Sequence, residues 1–191
     1  MPRSLDGVQV LVEGKAAAVQ FIGPGQVNFQ APSGLAPGWA RVELRTPGGA
    51  DLAYVYVSPE FPGFFAFDSE GHVAALHPDG TPVGDANGGA SYQARPASAG
   101  ETLAIYGTGF GPTAPDVPAG QVFTGAANLL SLPSLSVSIG GQSAAVRFAG
   151  LTGAGLNQIN VVVPDLPPGT YEVVADVAGS PTQFSGRLTV R

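Results

Sequence analysis

One short plan, an apolar strand stopped by proline, a Pro-Gly corner and a second apolar strand, occurs twice in this chain. The first copy reads Gln26-Val27-Asn28-Phe29-Gln30-Ala31-Pro32, then Leu35-Ala36-Pro37-Gly38, then Arg41-Val42-Glu43-Leu44. The second reads Asn157-Gln158-Ile159-Asn160-Val161, then Pro164, Pro167-Pro168-Gly169 and Tyr171-Glu172-Val173-Val174. Proline cannot donate to a sheet ladder, so Pro32 and Pro164 end strands, and the Pro-Gly pairs set turns at matching spacing.

The repeat extends upstream. Val8, Val10 and Val12 alternate with Gln9, Leu11 and Glu13, turn at Glu13-Gly14-Lys15 and continue to Val19 and Phe21. Leu135, Val137 and Ile139 turn at Gly140-Gly141-Gln142 and continue to Val146 and Phe148. The two hairpins align without a gap from Val8 with Leu135 to Gly23 with Gly150, after which the second copy inserts a Gly-rich loop extension at 151–156. The first copy closes with Tyr54 and Tyr56 alternating with Val55 and Val57, the second with residues 187–190. No segment carries apolar residues at i, i+3, i+4 and i+7 over three turns, so the expected class is all-β, two tandem immunoglobulin-like antiparallel sandwiches. The expected division is 1–57, an aromatic-rich connecting segment at 58–92 with a short hairpin, and 93–191.

The copies differ at their beginnings. The second is led by Glu101-Thr102-Leu103-Ala104-Ile105-Tyr106 and the glycines of Gly107-Thr108-Gly109-Phe110-Gly111-Pro112, whereas nothing upstream of Ser4 can serve as the counterpart. The first sandwich is therefore expected to lack its leading strand. Between the copies, Phe61, Phe64, Phe65 and Phe67 form a dense cluster expected to pack against a sandwich. The stretch 72–77 is expected to be a strand forming a hairpin with Pro82-Val83.

Gly and Pro, 28 and 18 of 191 residues, approach levels typical of disorder, but hydrophobic residues at 44% fall in short alternating runs that favour an ordered, turn-dense β protein. Only 12% of residues are charged, and 8 Lys plus Arg against 14 Asp plus Glu give a net charge of -6 with no basic cluster. Nucleic acid and anionic membrane surfaces are excluded as partners on that balance. Without cysteine there is no disulfide, thiolate or cysteine-ligated metal. No apolar run is long enough to span a bilayer, so no direct membrane insertion is expected.

Chemistry-bearing motifs are sparse. The glycines at 107–111 lack the following helix or Lys of a phosphate-cradling loop, and strand-end turn geometry explains them better. His72 and His77 fall on opposite faces of one strand, and Asp68, Glu70 and Asp79 read as turn carboxylates, so neither a metal nor a cofactor is assigned. No serine sits in a nucleophile elbow, and the chain is not expected to be an enzyme. The recurring Gln26/Asn28 and Gln158/Asn160 pairs read as structural. Trp39, Tyr54, Tyr56 and Tyr92 are the ligand- or partner-contact candidates, since exposed rings can stack on sugar faces. The plainer reading is that Trp39 covers one end of its own sandwich.

With these residues laid out, the chain resembles the bacterial immunoglobulin-like TIG (IPT) modules, and more closely an uncharacterised C-terminal domain of large exported proteins of soil bacteria. The matching motifs are Leu5-Asp6-Gly7-Val8-Gln9-Val10 leading to Gly14 and the Gln26-Val27-Asn28-Phe29-Gln30-Ala31-Pro32 strand, Tyr106-Gly107-Thr108-Gly109-Phe110-Gly111-Pro112, and Asn157-Gln158-Ile159-Asn160-Val161 with Pro167-Pro168-Gly169. In that family a leading strand ending in a Gly-Thr-like turn precedes the first repeat as well. The resemblance implies a secreted or cell-surface, non-catalytic module whose export signal lies outside this chain. Such a module would act in structure or adhesion through protein partners or self-association, assembling by strand addition at the open edge of the incomplete sandwich; the alternative is a carbohydrate-binding module.

Overall fold

The computed structural model describes residues 1–85, 93–184 and 186–191, and they contain β-strands, one 3-10 turn and no α-helix. They group into two units, each described by itself. One comprises Met1–Pro59, Asp116–Gly125 and Gly153–Gly155; the other comprises Glu60–Pro115, Ala126–Thr152 and Leu156–Arg191.

In the first unit, strands β1 (Gln9–Val12), β2 (Lys15–Ala16), β5 (Gly38–Thr46) and β6 (Gly49–Val57) form an antiparallel sheet of order β2-β1-β5-β6. Strands β3 (Ala18–Gly23) and β4 (Gln26–Gln30) form a second, two-stranded sheet. The β1–β2 hairpin turns through Glu13 at φ 50 and Gly14 at φ 73, the paired positive angles of a two-residue turn whose twist matches its strands. β4 stops two residues before Pro32, and β5 starts at Gly38, as the proline and Pro-Gly signals require. Segments distant in sequence are stitched to β3 and β4 and the residues beside them: the Gly120 N–H donates to Gln30 Oε1 at 2.9 Å, Ala119 N–H to Ser33 Oγ at 3.0 Å, and Gln20 Nε2 to the Ala154 carbonyl at 3.1 Å. The fully buried cluster between the sheets is small, consisting of Val10, Val12, Ala17 and Ala40 with Val27, Leu35, Val42, Leu44 and Val57 partly buried around it.

The second unit uses β7 (Gly63–Phe64), β8 (Ala75–Leu76), β9 (Thr102–Thr108), β10 (Thr113–Ala114), β11 (Ala127–Leu129), β14 (Val146–Gly153) and β15 (Leu156–Val162) for one sheet, in the order β10-β11-β14-β15-β9-β7 with β8 also on β9. The other sheet contains β12 (Leu135–Ile139), β13 (Gln142–Ala144), β16 (Gly169–Val177), β17 (Ser180–Pro181) and β18 (Gly186–Val190). Leu103, Ile105, Ile159 and Val161 from the first face Val137, Ile139, Val173 and Leu188 from the second, all within one continuous buried core. Alternation at period two is what puts them there.

The β1–β5 register of the first unit corresponds to the β12–β16 register of the second. Val12 opposes Val42 and Val10 opposes Leu44, as Ile139 opposes Val173 and Val137 opposes Ala175. Gln26 Nε2 donates to Asn28 Oδ1 at 2.6 Å and Gln158 Nε2 to Asn160 Oδ1 at 2.8 Å, so these recurring pairs brace successive outward positions of one strand.

Three local expectations differ from what is observed. The 151–156 insertion is not loop: β14 and β15 run into it and reverse at Gly155, φ +70. Of the four clustered phenylalanines only Phe64 is buried, its ring 5.8 Å from that of Phe110, while Phe61, Phe65 and Phe67 are exposed, because β7 pairs along β9 and only alternate side chains face inward. In the 72–77 stretch only Ala75 and Leu76 form a ladder, with single bridges at His72 and Val73 and the predicted contact to Pro82 made by Leu76.

Candidate functional site

The first unit has its sheets in place, with an open cleft beside a small buried cluster. In the second unit β15 pairs with β14 on one side and with β9 on the other, where Ile159 opposes Ile105 and Val161 opposes Leu103. β4, which holds the position of β15, pairs with β3 alone. Among the described residues nothing takes the place of β9.

Side chains follow the backbone. Val161 is 0% exposed, whereas Phe29 at the equivalent position is 37% exposed; Leu188 is 1% exposed, and its equivalent Val55 is 44% exposed. Between the two sheets of the first unit lies an open cleft of 790 Å³, lined by apolar side chains including Val8, Val10, Ile22, Val27, Phe29 and Leu44, with Asp6 and Thr46 at its rim. β6 is also an edge strand, nine residues long, and only Val57 at its end is better than exposed.

The opposite face of β5 and β6 carries three of the four candidate contact residues. Trp39 opposes Tyr56 and Arg41 opposes Tyr54 in the ladder, so the three rings share one face with Glu43, Leu52 and Arg45. Trp39 is 74% exposed, and its ring meets that of Tyr56 edge-on at 5.7 Å and 84°. It therefore does not cover an end of its sandwich: as the residue after Gly38 at the start of β5, it points outward, and Ala40 points in. Tyr54 and Tyr56 are likewise exposed; Tyr92 lies outside the described residues. Beside the rings, Glu43 bridges Arg41 at 3.1 Å and Arg45 at 2.5 Å; the hydrogen bond from Arg45 is the main cause of its carboxyl lying below the usual range.

The second unit places its titratable groups in separate pairs. His77, buried, has Nδ1 2.6 Å from Glu101 Oε1 and Nε2 3.0 Å from the Arg95 carbonyl. Burial pushes the Glu101 carboxyl up, but bonds from His77 and the Ser98 N–H, with Arg95 nearby, outweigh it and leave it below the ordinary value. Asp79 is held at about 2, chiefly by Thr81 and then by Arg95. His72 pairs with Asp68 at 2.6 Å, and Asp68 also accepts the N–H groups of Glu70 and His72. Among the described residues no three His, Asp or Glu side chains converge as metal ligands. The glycines at 107–111 meet chain rather than ligand: a Cβ at Gly107 would overlap the Gly63 carbonyl oxygen, one at Gly109 the Phe61 carbonyl oxygen, and Gly109 and Gly111 have φ +77 and +103. Sequence reasoning missed His77 and Glu101, which are 24 residues apart with no spacing to mark them.

Residues 91–190, a little over half of the chain, match the IPT/TIG domain family. The chain belongs to that family. The TIG match spans β9 to β18, the leading strand included, and leaves out only β7 and β8 of the second unit's described strands. No curated protein sequence is detectably similar to this TIG chain. Among solved structures it is similar to SGBP-B of the Bacteroides ovatus mixed-linkage glucan utilization locus, in complex with a mixed-linkage heptasaccharide, at 14% identity and a TM-score of 0.35. That alignment covers 96% of this chain and 36% of the other, so the TIG chain spans about a third of that protein. It is also similar to the D00-D0 domain of intimin, at 12% identity and a TM-score of 0.28 over 98% of this chain and 87% of that one. Among the described residues no helix is long and apolar enough to cross a membrane.

Proposed function

We propose that this chain is a non-catalytic, extracellular or cell-surface module, with sandwiches at 1–57 and 93–191 joined by 58–92, that acts in structure or adhesion through protein contacts. The contact is strand addition to the first sandwich. One observation carries this reading: β15 is paired on both sides while β4, its equivalent, is paired on one and borders an open apolar cleft. Unpaired strand edges beside exposed apolar surface are templates for another chain.

Hydrogen exchange tests it. In the isolated chain the amides of β4 exchange markedly faster than those of β15, because the outward-facing groups have only water as partner. Equal, slow exchange in the monomer overturns the reading; slow exchange that is lost on dilution assigns the edge to a second copy of the chain. Cleavage of the native protein by external protease on intact cells tests the location.

A second reading is favoured by the exposure of Trp39 and its shared face with Tyr54 and Tyr56. Flat rings on an open sheet face are suited to stacking on a sugar. A glycan array in which Trp39→Ala removes binding supports it, and an array with no binding ends it.

A further inference from the structure

In the second unit, the outward side chains of β9 form the floor of a groove. Along this strand Leu103 and Ile105 enter the core, so Thr102, Ala104 and Tyr106 turn to the opposite face, where each is half-buried. Register sets the walls. Asn160 opposes Ala104 and Gln158 opposes Tyr106 across the β9–β15 ladder, and Leu76 opposes Ala104 on the β8 side. The turn after β8 closes one end: Gly80, at φ +82, donates its N–H to the His77 carbonyl at 2.9 Å, and Asp79 Oδ1 accepts from the Thr81 N–H at 2.9 Å. Because Ala104 has only a methyl group between taller neighbours, a groove of about 450 Å³ is left over it. Small-molecule sites commonly have volumes of about 300–1,000 Å³.

The polar groups of the groove form a matched set. Gln158 Nε2 donates to Asn160 Oδ1 at 2.8 Å, which leaves the Gln158 oxygen as an acceptor and the Asn160 nitrogen as a donor. Among the described residues no hydrogen bond uses either of them, or the hydroxyls of Thr102 and Tyr106. Charge is missing. No Asp, Glu, Lys or Arg lines the groove, and the His77 ring is fully enclosed, bonded to Glu101 and the Arg95 carbonyl. An ion brought here would lose water and gain no counter-charge. Leu76, Ala104 and the Tyr106 ring add apolar surface beside the donors and acceptors.

We infer that this groove binds a neutral saccharide, either a mono- or disaccharide or the end of a glycan chain. Every sugar hydroxyl both donates and accepts, so neighbouring hydroxyls take the Asn160 amide N–H and the Gln158 carbonyl together, while Tyr106 and Thr102 serve others. The C–H face of the sugar lies on Leu76 and Ala104. The site is built from second-unit residues alone, and it depends neither on the Trp39 face nor on strand addition to β4.

The test uses the 15N-labelled 191-residue chain, titrated with methyl glucoside, maltose, cellobiose and lactose and followed by amide chemical shifts. With at least one sugar, saturable shifts are expected at Gly80, Thr102, Ala104 and Tyr106 and at the side-chain amides of Gln158 and Asn160. Ala104→Leu fills the groove from an outward position and is expected to weaken binding about tenfold or more. Tyr106→Phe removes one hydroxyl and is expected to weaken it about threefold to tenfold. Tyr106→Phe and the footprint on the unaltered chain keep the test decisive should Ala104→Leu fold poorly. No shift with any of the sugars overturns the inference, as does binding that Ala104→Leu leaves unchanged. Shifts confined to Trp39, Tyr54 and Tyr56 overturn it and leave the Trp39 reading standing. A stronger response to glucuronate or glucosamine than to the neutral sugars overturns the neutral assignment. A groove footprint from N-acetylalanine methylamide with none from the sugars gives the site to a peptide backbone and also overturns it.

Discussion

His77 and Glu101 are the pair on which the second unit's polar interior turns, since the imidazole is buried and both its ring nitrogens sit against acceptors. Glu101→Gln keeps the shape but removes the charge from bonds to His77, the Ser98 N–H and Arg95, and is expected to cost about 1–3 kcal/mol at neutral pH. The sign with pH follows from the depressed carboxyl. A carboxyl lower in the folded than in the unfolded chain stabilises fully above the unfolded value of 4.5 and loses that contribution as pH falls through the folded value. Thermal melts should therefore show the wild type converging on Glu101→Gln as pH falls below 4.5. At Gly107 the constraint is steric: Ala there would drive a methyl group into the Gly63 carbonyl, and a loss of about 1–3 kcal/mol or more is expected in urea unfolding. Trp39→Ala should move stability by no more than about 1 kcal/mol, because the ring it removes is largely in water.

At the scale of the element, the same strand plan has different weights in its two copies. Leu103→Ala empties a fully enclosed position in β9 and should cost about 2–5 kcal/mol, whereas Phe29→Ala in β4 removes a ring already in contact with solvent and should cost about 1 kcal/mol or less. Chemical denaturation of the two variants gives the comparison directly. The elements most readable from sequence are those set by local rules: the Glu13-Gly14 and Gly140-Gly141 turns, the strands halted before Pro32 and Pro164, and the corners at Gly38 and Gly169. The open edge of β4 was readable too, because the repeat supplied an internal standard for what should lie beside it. The orientation of Trp39 was not. It follows from which face of β5 meets the core, a matter of register that the residue's own size and hydrophobicity argue against. The phenylalanines of 61–67 misled in the same way, since a dense aromatic run says nothing about which rings a two-residue ladder can turn inward. Strands β14 and β15 continuing through a Gly-rich insertion, and the convergence of His77 with Glu101, depend on pairings across many residues and left no periodic mark.

At the scale of the molecule, the two units differ in how much apolar surface they enclose. The second holds a continuous buried core fed by both sheets, while the first holds a core cluster of four buried side chains and a cleft beside it. Burial supplies most of the favourable free energy of folding, so the first unit is expected to open at lower temperature and denaturant than the second. Segment-resolved hydrogen exchange along a urea series should show residues 9–57 losing protection before residues 135–190. A single shared transition would mean that the first unit borrows stability beyond its own core.

Strand addition as proposed would make the melting point of the first sandwich a concentration gauge for its donor. A donor that binds only the folded form adds RT ln(1 + [L]/Kd) to stability, about 2.7 kcal/mol when it is present at a hundred times its dissociation constant. Under that proposal the donor's abundance would set how long the first sandwich outlasts proteases.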